Sequence, residues 1–145
     1  MTEIDGHYNM PDKVGYACRL LRKAVGAQAR LVVLADPETL DALDQALWTL
    51  QPSEFIAHCR GTDEPCIVSR SPVVLADRGM PSLPDRPILL NLGAEVPSGF
   101  ERFERLIDLV GSDDAERQAG RARWRHYKDR GYAIRTHPYA AGSAA

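Results

Sequence analysis

The chain has 145 residues, 44% hydrophobic and 26% charged, with a formal net charge of -2, which fits one globular domain with its own core and excludes a surface that attracts polyanions as a whole. Any site for an anion is therefore local. No apolar run approaches the roughly 20 residues needed to cross a bilayer, and Met1 to Gly6 carries neither a basic region nor an apolar signal core, so the expectation is a cytoplasmic protein without membrane contact. In chain order, Val14, Ala17, Cys18, Leu21 and Val25 fall at helical spacing between Asp12, an N-cap, and Gly26, a stop. Arg30 to Ala35 is a short continuous apolar run of the kind found in a strand covered on both faces. Asp36-Pro37-Glu38 then opens a second helix with Leu40, Leu43, Leu47 and Leu50 on or near its inner side, ending before Pro52.

Ser53 to His58 reads as a short strand or turn, and Arg60 to Arg70 as a polar loop. Pro72 to Ala76 and Pro87 to Leu92 are further strands, joined by a turn-rich segment. Phe100, Phe103, Leu106, Ile107 and Val110 are spaced for a third helix, and the stretch after Ser112-Asp113-Asp114 for a fourth, closed by Gly131. Tyr132 to Thr136 makes a last strand, and residues 140–145 a flexible tail after a single domain of residues 1–139. Helices alternating with apolar strands predict an α/β, Rossmann-like three-layer sandwich with a largely parallel central sheet.

Local motifs for chemistry are absent: no G-x-G-x-x-G, no P-loop and no nucleophile elbow occurs, and Leu34-Ala35-Asp36-Pro37-Glu38 places carboxylates where a phosphate loop needs glycines. The four histidines, His7, His58, His126 and His137, have no sequence-local partners for a catalytic triad. Asp41 with Asp44 and Asp113 with Asp114 read as structural, the second pair at a helix start where the dipole favours negative charge. Three cysteines make no even disulfide set, Cys18 reads as a small buried hydrophobe, and His58, Cys59 and Cys66 lack a fourth ligand for zinc. The expectation is a non-enzyme with no catalytic residue, no metal and no cofactor.

What remains is Arg117 to Gly131, a basic helix centred on an aromatic residue. At about 100° per residue, Arg117, Arg121, Trp124, Arg125 and Lys128 lie within about a third of the helix circumference. Four cations around one indole suit an anionic partner with an apolar part, and a solvated helix with a half-buried Trp has the same pattern.

Leu43-Asp44-Gln45-Ala46-Leu47-Trp48, Ser53-Glu54-Phe55-Ile56-Ala57-His58, Pro72-Val73, Ile88 to Leu92 and Ala122 to Gly131, in that order, resemble the chi subunit of bacterial DNA polymerase III holoenzyme. Ala57 departs from the family's proline before the histidine. The resemblance implies a non-enzymatic adaptor associated with the clamp loader, which binds the acidic C-terminal tail of single-stranded DNA-binding protein (SSB). It also implies a link to the replicase through the psi subunit or another clamp-loader component, with DNA reached only indirectly. Carried over by position, the tail site comprises Val110, Arg117, Arg121, Trp124, Arg125, Lys128 and Thr136, and the partner-subunit surface Trp48 and Phe55. Residue chemistry then assigns Arg121 to the tail's terminal carboxylate, Arg117, Arg125 and Lys128 to its aspartates, and Trp124 with Val110 to a phenyl pocket. Direct binding of single-stranded nucleic acid by the same basic face is the alternative.

Overall fold

The structure, a computed structural model, describes residues 2–48, 58–60, 73–77, 86–97 and 99–139, with Trp48 and residues 58–60 described by their backbone alone. Among the described residues seven strands form one sheet: β1 (Glu3–Met10), β2 (Leu31–Leu34), β3 (His58–Arg60), β4 (Val73–Ala76), β5 (Ile88–Asn91), β6 (Arg105–Gly111) and β7 (Ile134–Pro138). Their order is β3-β4-β2-β5-β6-β1-β7, and every pairing is parallel. The central runs Leu31–Leu34 and Val73–Ala76 are buried at every residue, as a parallel sheet covered on both faces requires. The α/β sandwich with a parallel sheet is thus the observed architecture.

Helices α1 (Lys13–Gly26) and α2 (Pro37–Trp48) cover one face, packing Leu20, Leu21, Leu40, Leu43 and Leu47 on Val33, Leu75 and Ile107. Helix α3 (Asp114–Asp129) and a 3-10 turn (Phe100–Arg102) cover the other, where Phe100 and Tyr127 meet Ile4, Val32 and Leu106. The cap expected for α1 is formed, Asp12 accepting from the Gly15 amide at 3.1 Å, and at the start of α3 Asp113 accepts from the Glu116 amide at 2.8 Å. Gly131, at φ 90°, follows the end of α3 in the left-handed region that favours glycine.

Two expected elements differ in the structure, one in kind and one in position. The helix expected from Phe100 through Val110 is instead the 3-10 turn followed by β6. Its apolar residues satisfy helical spacing by coincidence, because a run buried on both faces has no periodicity of its own. Strand β1 has no counterpart among the expected elements: it is interrupted in sequence by Asp5, Gly6 and His7 yet paired on both sides, to β6 and β7. Its buried polar groups are all answered. Arg105 and Arg135 hold the Asp5 carboxylate at 2.7 and 2.9 Å, and His137 lies 3.2 Å from it. Burial raises the pKa of Asp5, but those hydrogen bonds and charges outweigh it and hold the group below its ordinary value. Strand β7 is also displaced by two residues from the expected Tyr132 to Thr136. Of the remaining expectations, residues 53–57 with Phe55, residues 61–70 of the expected Arg60 to Arg70 loop and residues 140–145 lie outside the described residues, while Arg60, expected in that loop, instead ends β3.

Candidate functional site

The C-terminal ends of β1 and β6 diverge from α3 to leave a cleft of about 470 Å³, at the edge of a parallel sheet where open α/β folds place ligands. Tyr8 and Asn9 contribute from β1, Val110 and Gly111 from β6, and Arg117, Gly120, Arg121 and Trp124 from α3. The pairing of β1 with β6 shifts register between Tyr8 and Met10, and Asn9 sits in that bulge at φ 72°.

Two glycines set how closely α3 approaches the sheet. A Cβ on Gly120 would lie 2.7 Å from a Val110 methyl, and one on Gly6 would run into the Trp124 indole. Helix and strand therefore meet at backbone distance, and the indole lies across β1. Trp124 is half-buried, with its ring edge-on to Tyr8 at 5.9 Å between centroids. Together with Val110 these rings make an apolar corner. Arg117 and Arg121 are exposed beside it. Arg117 reaches Asn9 Oδ1 at 3.4 Å, a long hydrogen bond, and Arg121 has no ion pair among the described residues.

Beneath the cleft lies a buried polar network. The Asp108 carboxylate, fully buried on β6, accepts from Arg123 Nε at 3.0 and 3.1 Å, Trp124 Nε1 at 3.0 Å and Asn91 Nδ2 at 3.0 Å. Burial pushes the Asp108 carboxyl upward, against the charge and hydrogen bonds of Arg123 and the bonds from Trp124 and Asn91. Arg123, only 2% exposed, donates its remaining NH groups to the carbonyls of Ala94 and Leu109. At the start of the helix, Glu116 accepts from Lys13 at 2.8 Å and from the Gly111 amide at 3.1 Å. Among the described residues no carboxylate lines the cleft, and Asp108, which holds the Trp124 indole, is matched by Arg123. The result is a cationic, part-aromatic crevice that can accept an anion attached to an apolar group.

Of the expected site residues, Val110, Arg117, Arg121 and Trp124 come together in the cleft. Arg125 and Lys128 are exposed further along α3, outside the lining. Thr136 is exposed on β7, opposite Gly6 in the sheet, and is likewise outside it. Trp48 ends α2, but its side chain lies outside the described residues, as does all of Phe55. Tyr8, Asn9, Asp108 and Arg123 were not anticipated. A signal existed for Asp108: a lone carboxylate inside Leu106-Ile107-Asp108-Leu109-Val110 must find a buried cation. Among the described residues no group of His, Cys, Asp and Glu is arranged to hold a metal, and no helix is long and apolar enough to cross a membrane.

Fold and crevice define a class: an α/β domain with an all-parallel sheet, offering a basic, aromatic-walled groove at its strand ends rather than a phosphate loop. Solved structures share the fold alone, as with the C-terminal domain of the DEAD-box protein Dbp5, at 13% identity and a TM-score of 0.58 over 95% of this chain and 90% of that one. Residues 1–135 match the family described as DNA polymerase III chi subunit, HolC, and the chain belongs to that family. It is 33% identical to the DNA polymerase III subunit chi of Pseudomonas aeruginosa, over 94% of this chain and 96% of that protein. The subunits of the same name from Haemophilus influenzae and Escherichia coli are 27% and 26% identical, over 83% and 73% of this chain and 83% and 71% of their own lengths. Membership makes the chain an accessory subunit in DNA replication.

Proposed function

We propose that this chain is a non-catalytic, cytoplasmic adaptor that holds the acidic C-terminal tail of SSB in the cleft between β1, β6 and α3 and links it to the clamp loader. The observation that carries this reading is the pairing, in one crevice, of two exposed guanidiniums with an apolar corner and no lining carboxylate. An acidic peptide ending in an aromatic residue needs both halves. Arg121 takes the terminal carboxylate, Arg117 a neighbouring aspartate, and Trp124 with Val110 the terminal ring. Arg125 and Lys128 continue the positive face beyond the cleft and attract the upstream acidic residues at longer range, with Thr136 at the flanking edge strand. Trp48 and Phe55 form the contact with psi or another clamp-loader component, and DNA is engaged through SSB.

A fluorescent peptide copying the SSB C-terminus is expected to bind with an affinity of roughly micromolar order, weakening with salt. Arg121→Ala or removal of the terminal phenylalanine should abolish most of the binding, and indifference to both overturns the assignment. The alternative, direct binding of single-stranded DNA by the same arginines and indole, predicts tight and steeply salt-dependent titration without SSB.

A further inference from the structure

We propose that Asp108 is the positioning residue of the cleft: it fixes the indole of Trp124 in the orientation that forms the apolar wall, without touching the ligand. The inference rests on the tail-binding reading for what the wall does, and on the buried network for how the wall is held. A tryptophan at the boundary between core and solvent can turn its polar edge outward to water or inward to a protein acceptor. Here it is turned inward, with Nε1–H donating to Asp108 Oδ2 at 3.0 Å.

The acceptor itself cannot follow the ring. Arg123 grips both carboxylate oxygens from the helix, and Asn91 donates to Oδ1 from the neighbouring strand β5. Asn91 is in turn fixed by accepting the Gly93 amide at 3.0 Å. Asp108 and Val110 are two apart on β6 and so share the strand face toward α3. One strand thus supplies one apolar wall directly and anchors the other. The absence of a Cβ at Gly6 completes the seat, since the indole occupies the space a side chain would fill. Compensation by Arg123 also matters for the ligand: a buried carboxylate with its own cation sets the ring without repelling an anion above it.

The test separates positioning from general support of the fold. In the full-length protein, the two indole NH resonances are assigned with Trp48→Phe, and affinity for a peptide of aspartates ending in phenylalanine is measured in wild type, Asp108→Asn, Trp124→Phe and the double variant. Asp108→Asn keeps the shape but replaces one acceptor oxygen by a donor, so the Trp124 NH resonance should shift and affinity fall by roughly tenfold, the scale of one charge-assisted hydrogen bond. Trp124→Phe should lose a similar factor while leaving the Asp108–Arg123 pair intact. The double variant should lose no more than Trp124→Phe alone, since Asp108 acts through that ring.

Equal losses from Asp108→Asn with and without Trp124 would overturn the proposal, as would an unmoved resonance with unchanged affinity. Should Asp108→Asn fail to fold, Trp124→Phe decides alone: wild-type affinity without the indole NH refutes the anchor. Failure of the wild type to bind the peptide sinks the tail reading, while the resonance shift in Asp108→Asn still tests whether Asp108 sets the ring.

Discussion

Arg121 and Arg123 stand two residues apart on α3, about 200° around the helix from each other, and their guanidiniums meet opposite surroundings. Arg123 points into the sheet, 2% exposed, with each guanidinium nitrogen donating to Asp108 or to the carbonyl of Ala94 or Leu109. Arg121 stands at the cleft in solvent without an ion pair among the described residues. One cation is used within the fold and the other is open to solvent. The whole helix follows that division: Gly120, Arg123 and Tyr127 form its buried side, while Arg117, Arg121, Arg125 and Lys128 are exposed. Trp124, half-buried between them, belongs to both.

The largest expected effect tests the buried side. Arg123→Met should destabilise the protein by about 3–5 kcal/mol in urea unfolding, because it leaves Asp108 charged and unpaired in the core. Adding Asp108→Leu should recover much of that loss by removing the orphaned charge. A loss of under about 1 kcal/mol in the single variant would show that the pair does not hold the helix.

Gly120 sharpens the contrast more gently. At an open helical position Gly→Ala stabilises by about 1 kcal/mol, but here the new methyl meets the stiff Val110 side chain. Overpacking costs about 1–3 kcal/mol, so Gly120→Ala should lower the melting temperature and weaken peptide binding together. A raised melting temperature would mean that the helix moves away from β6 freely.

On the exposed side the pattern should invert. Arg121→Ala should leave stability within about 0.5 kcal/mol of wild type, as for a surface substitution, while peptide affinity measured by anisotropy falls roughly 10- to 100-fold, the worth of hydrogen bonds to a charged group. A loss of stability with intact binding would reverse the roles of the two arginines. The smallest effects belong to Arg125→Ala and Lys128→Ala, outside the cleft lining. Each should weaken binding only about two- to threefold in low salt and have no effect near 0.5 M, where screening shortens electrostatic reach to a few ångströms. A salt-independent loss at either position would place it in direct contact with the ligand.

Much of the architecture was legible because it depends on short-range rules. Asp12 caps its helix, a helix starts at Asp113-Asp114, and Leu31–Leu34, Val73–Ala76 and Ile88–Asn91 are strands, as their residues predict. Two strands escaped those rules, for different reasons. Strand β1 is written with Asp5, Gly6 and His7, which look like surface or turn residues until Arg105, Arg135, His137, Tyr16 and Trp124 arrive from distant segments to satisfy or cover them. Strand β6 failed in the opposite sense, since its burial on two faces erased the alternation that separates strand from helix.

The candidate site divides the same way. Composition and helical spacing alone determined that the cations of residues 117–128 gather around Trp124, because neighbours on a helix are set by its pitch. Whether a particular arginine serves the core or faces a partner is not a local property. It was decided by β6 carrying Asp108 beneath α3 and by β1 carrying Tyr8 and Asn9 to the far wall. Local sequence sets which side chains share a helix face, but burial and charge compensation depend on separate segments, from 15 residues apart for Asp108 and Arg123 to 108 for Asn9 and Arg117, which only the packed sheet brings together.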